Sequence, residues 1–139
     1  MSIRMTVAGL LFVLPTLFSS PAFAGDEPAI DGYCPVGYVA AGKALKGDPK
    51  FAVKADGETY WFVSKDAKKA FKKTPEKFDV AYDGWCATGI AMGKKIPVDP
   101  KMFSVVDGKI YLFSNAETKA MFDNDPSLAS KADTAWKTL

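Results

Sequence analysis

Apolar and polar positions alternate along two stretches of the chain and recur at helical spacing along two others. Phe51 and Val53 alternate with polar neighbours, and residues 60–63 form an aromatic-rich run. Asp56-Gly57 between them is a hairpin turn signal. Residues 102–106, Asp107-Gly108 and residues 110–113 give the same pattern again. After the first hairpin Ser64 fits a helix N-cap. Ala67, Ala70 and Phe71 then make an apolar stripe among lysines, stopped by Thr74-Pro75. After the second, Ser114 or Asn115 fits the cap, Ala116, Ala120, Met121 and Phe122 the stripe, and Asp125-Pro126 the stop. Residues 127–139 predict one further short helix, with Trp136 and Leu139 folding back as a lid.

The chain therefore repeats itself. Asp31-Gly32-Tyr33-Cys34 returns as Asp83-Gly84-Trp85-Cys86, an offset of 52 positions. Gly42-Lys43, Asp48-Pro49 and Asp56-Gly57 return as Gly93-Lys94, Asp99-Pro100 and Asp107-Gly108, an offset of 51. A period of this length marks a duplicated supersecondary unit. The expectation is an α+β fold of two repeated loop–β-hairpin–helix units, about 31–80 and 83–126, packed around a pseudo-two-fold axis. The hairpins would join into one antiparallel sheet with the helices on one face. Each unit is too short to bury enough surface alone, so the two would share one core.

Residues 1–24 read as a secretory signal peptide: Arg4, an apolar run broken at Pro15, and the small-x-small site Ala22-Phe23-Ala24. That leaves residues 25–139 as a single domain with a tail at 127–139. No later run approaches the ~18 apolar residues of a spanning helix. The expected location is periplasmic or secreted, an oxidising compartment.

Composition narrows the chemistry. The chain has no histidine, and Arg4 is its only arginine. Histidine-based triads, histidine-ligated zinc and imidazole acid–base catalysis are excluded. The lack of arginine argues against nucleic-acid and phosphate-clamp functions. Lys65, Lys68, Lys69, Lys72 and Lys73 form either a solvated helix face or a site for an acidic partner. Tyr33, Tyr38, Tyr60, Trp61, Trp85 and Tyr111 either pack the core or line a ligand pocket. Asp31 and Asp83 fit caps or turns, a cation site or an acid, and Asp48 and Asp99 fit turns.

The stretch Gly57-x-x-Tyr60-x-Phe62-x-Ser64, followed by Phe71 and Thr74-Pro75-Glu76-Lys77-Phe78, resembles the YHS domain family, which is related to the TRASH metal-binding domains. Asp31-Gly32-Tyr33-x-Pro35-Val36, Lys46-Gly47-Asp48-Pro49-x-Phe51, Gly84-Trp85-Cys86-Ala87 and Lys131-Ala132-Asp133-x-x-Trp136 resemble its secreted, duplicated members. The resemblance implies a small sheet-and-helix module linked to metal. The positions of the proposed cysteine ligands hold Gly37, Val63 and Ala67 here, and Trp61 and Leu112 stand where the family histidine would be. The usual ligand set is therefore not carried over.

Chemical interest falls on Cys34 and Cys86, the two cysteines, at equivalent points of the two units. If symmetry brings them together, they form a disulfide, a soft-metal site or a redox-cycling pair; otherwise they are inert buried thiols. Copper(I) accepts thiolate and thioether, and Met92, Met102 and Met121 are the available thioethers, with Cys34, Cys86 and Met92 as the candidate set. The expected function is a periplasmic, non-enzymatic module that handles copper. The alternatives are a thiol–disulfide protein, or a disulfide-stapled scaffold for a secreted partner or an organic ligand.

Overall fold

A computed structural model describes residues 27–139. The predicted leader lies outside them. Among the described residues no helix is long and apolar enough to cross a membrane.

The fold is α+β. Strands β1 (Asp48–Ala55) and β2 (Glu58–Phe62) form the first hairpin, and helix α1 (Lys65–Lys73) follows. A five-residue helix α2 (Ala87–Ala91) precedes the second hairpin, β3 (Asp99–Val106) and β4 (Lys109–Phe113). Helices α3 (Ala116–Asn124) and α4 (Ser127–Trp136) end the chain. The turns form where the Asp-Gly pairs stand, with Asp56, Gly57, Asp107 and Gly108 all at positive φ, the backbone that twists a tight hairpin correctly. Both hairpins carry an irregularity at the same place, between Asp48 and Ala52 and between Asp99 and Phe103. Asp48 and Asp99 each accept the N–H two residues on, from Lys50 and Lys101, which fixes these strand starts as turns.

The helix boundaries follow their capping chemistry. The Ser64 hydroxyl accepts the Ala67 N–H at 3.1 Å. Asn115, not Ser114, caps α3, in a reciprocal box with Thr118. Pro126 separates α3 from α4.

Three expectations are corrected. The hairpins are two separate two-stranded sheets, not one, and only isolated parallel bridges link β4 to the central chain, Val80 to Ile110 and Cys86 to Leu112. The core is not single either. Phe62, Phe71 and Phe78 pack in one cluster, and Tyr82, Tyr111, Phe113 and Phe122 in another. A third cluster joins them, in which Tyr38 meets Ile110 and Leu112. There Tyr38 crosses into the second unit: its ring meets Phe103 edge-on at 4.8 Å and its hydroxyl donates to the Pro100 carbonyl at 2.7 Å. Finally, the tail forms α4 and Trp136 folds back onto Tyr82, with ring centroids 5.9 Å apart, but Leu139 stays exposed.

One close approach depends on glycine. A Cβ on Gly47 would lie 2.5 Å from the Trp61 carbonyl carbon, so β2 can lie against this loop only with hydrogen there.

Candidate thiol site

Each cysteine follows a left-handed segment of three residues. Ile30, Asp31 and Gly32 have φ of 57°, 50° and 81°; Tyr82, Asp83 and Gly84 have 56°, 49° and 82°. Left-handed backbone costs an L-residue roughly 1–2 kcal/mol, so Ile30 and Tyr82 are strained and must be held by what surrounds them. Asp31 and Asp83 are thereby placed as turn formers. The chain then aims each cysteine inward. Cys34 N–H donates to the Leu45 carbonyl at 2.8 Å, and Cys86 N–H to the Ile96 carbonyl at 3.0 Å.

Both cysteines are fully buried free thiols. The structure does not join them into the expected pair. Cys34 packs in the cluster of Phe62, Phe71 and Phe78, whereas Cys86 packs in the cluster of Tyr111, Phe113 and Phe122. The physical reason is that each hairpin closes an apolar pocket over its own cysteine. Met92 does not accompany either one: it caps the end of α2 and is 59% exposed. Met121 is exposed as well, because Phe122 takes the inward position on α3. Met102 is the thioether that packs against the Cys86 cluster.

The two thiols differ in their surroundings. Burial pushes the Cys86 thiol up, but the Ser114 hydroxyl, the N–H groups of Gly89 and Ser114 and the Thr118 hydroxyl together hold it below its ordinary value. The hydroxyls have prior commitments: Ser114 donates to the Pro97 carbonyl at 2.8 Å and Thr118 to the Asn115 carbonyl at 3.0 Å. A hydroxyl has one proton to give. Thr88, fully buried, donates to the Thr118 carbonyl at 2.7 Å and ties α2 to the start of α3 beside this site.

By the 51-residue offset, Ser114 and Thr118 correspond to Val63 and Ala67. Neither of those has a side-chain donor. The second cysteine therefore has two hydroxyl residues at positions where the first has hydrocarbon side chains. Ser114, Thr118, Gly89 and Thr88 were not legible as site residues from motif spacing. Their signal lies in the departure of the second unit from the first.

The aromatic residues serve mainly as packing. Tyr38 and Tyr111 are buried, and burial raises the pKa of both phenols. Tyr33, Tyr60, Trp61 and Trp85 are half-buried. Among the described residues no group of three or more His, Cys, Asp or Glu side chains comes together as a metal-ligand set. No family model, curated protein or solved structure matches this chain.

Proposed function

We propose that this is an exported, non-catalytic binding module whose ligand-taking group is the Cys86 thiolate, and that its ligand is a soft metal ion, copper(I). The observation that carries the reading is the pair of hydroxyl residues at Cys86, Ser114 and Thr118, whose counterparts by the 51-residue offset are Val63 and Ala67. A thiolate, not a thiol, binds metal, so a thiol held below its ordinary value is the better ligand. Soft ions accept thiolate with thioether, and Met102 is the thioether packed against the same cluster. Zinc fits poorly, because it takes four nitrogen, sulfur or oxygen ligands and the chain has no histidine. The signal-like residues 1–24 and the resemblance to secreted YHS proteins support an exported location.

One observation favours a second reading, thiol–disulfide exchange with an external partner. A lowered thiol pKa raises the thiolate fraction available for attack. Complete burial of the sulfur means that either ligand reaches it only when the pocket opens, and it opposes exchange more, since a partner's disulfide needs a wider opening than an ion.

Titration of reduced protein with copper(I) against a chromogenic chelator distinguishes these. The wild type and Cys34→Ala are expected to withdraw one equivalent of copper, and Cys86→Ser none. Failure of the wild type to compete, or equal losses in the two variants, removes the copper reading.

A further inference from the structure

We propose that the groove between β1 and α1 is a docking site for an acidic polypeptide segment, independent of Cys86. Its walls are Lys50, Lys65, Lys68, Lys69 and Lys72, its floor is Phe51, and its volume is about 460 Å³. Lys50, Lys65, Lys69 and Lys72 are exposed, and Phe51 is half-buried beneath them. Lys50 Nζ lies 5.0 Å from the Phe51 ring centroid. Among the described residues none of these lysines forms an ion pair; the pair found there is Lys119–Asp123 on α3.

The fold does not require this charge. Helix α3 follows its own hairpin as α1 does and has the same nine-residue length, yet it carries one lysine against Glu117 and Asp123. Helix α1 carries five lysines against Asp66. Like charges at this spacing destabilise a helix, so the cluster costs stability that α3 avoids.

The groove's form selects the occupant. A nine-residue helix is ~13 Å long, which about four extended residues span. A polypeptide of that length can place carboxylates at the rim and one apolar side chain on Phe51. A bilayer surface fits less well, because Phe51 is recessed behind lysines, whereas membrane-binding faces project their apolar residues. Nucleic acid fits less well, because the groove has no arginine.

The probe is a fluorescently labelled peptide of about six residues, glutamates around one phenylalanine, followed by anisotropy at low and high salt. Binding that weakens with salt is expected. Lys65→Glu/Lys69→Glu/Lys72→Glu, all exposed positions, should weaken it at least about ten-fold, on the scale of several rim pairs lost together. Lys94→Glu/Lys95→Glu/Lys137→Glu makes the same charge change elsewhere and should alter it less than about two-fold. Equal weakening by both triples, no peptide binding, or binding only to anionic phosphatidylglycerol vesicles would overturn the proposal. So would self-association in sedimentation that the peptide does not displace. None of these outcomes bears on copper binding at Cys86.

Discussion

The Tyr82 hydroxyl donates to the Asp133 carboxylate at 2.7 Å, binding the strained segment before Cys86 to helix α4. Tyr82 sits at a φ of 56°, and Trp136 covers its ring. The C-terminal helix thus holds a backbone conformation that Tyr82 would not adopt unaided, and with it the entry of the chain into the thiol site. The first unit has no following helix of this kind. There the Lys46 ammonium donates to the Asp31 carbonyl, on the equivalent segment.

Tyr82→Phe is expected to lower stability by about 1–2 kcal/mol, the scale of a hydrogen bond to a charged partner. In a domain of this size that is a fall in Tm of roughly 5 °C. Asp133→Asn should cost less, because the amide oxygen still accepts. Thermal melts check both, and equal Tm values for Tyr82→Phe and wild type would show that α4 does not hold the segment.

Four tyrosines should make the fold sensitive to alkali. Burial raises the pKa of Tyr38, Tyr60, Tyr82 and Tyr111, and the carboxylates of Glu58 and Asp133 add to it at Tyr60 and Tyr82. In the unfolded chain these phenols ionise near about pH 10. The unfolded state therefore releases protons that the folded state keeps. Their contribution to stability is complete below about pH 10 and is lost as pH rises above it. Absorbance at 295 nm should show these four ionising together with loss of the folded circular-dichroism signal. Independent ionisation of all five tyrosines in the folded protein would contradict this.

The two helix caps offer a matched comparison. Ser64→Ala and Asn115→Ala should each cost about 1 kcal/mol in denaturant titrations. Only Asn115→Ala should also change the Cys86 thiol, because Thr118 is both its capping-box partner and a donor beside the sulfur. Identical thiol titrations for the two variants would mean that Thr118 does not act on Cys86.

Much of this architecture was legible in the sequence. The Asp-Gly pairs placed both turns, Ser64 placed the start of α1, and Pro75 and Pro126 its end and that of α3, because each acts through local backbone geometry. What was missed depends on distant contacts. Residues 87–91 are too few to show a helical period, so α2 was not anticipated. Whether two hairpins share one sheet is decided by what lies between them, here Val80 and Cys86 bridging to β4. Met121 and Phe122 are adjacent apolar residues on a helix, and only packing shows that Phe122 faces inward. At the thiol site, symmetry of the two cysteines suggested a pair. The decisive signal was the opposite one, that Ser114 and Thr118 replace Val63 and Ala67.

The central claim is that one of two similar buried cysteines is the chemical one. Thiolate absorbance near 240 nm, followed against pH in folded Cys34→Ala and Cys86→Ala, tests it most directly. Cys34→Ala should retain a transition below that of an ordinary cysteine thiol, and Cys86→Ala should lose it. A low transition that survives in Cys86→Ala and vanishes in Cys34→Ala would contradict the account.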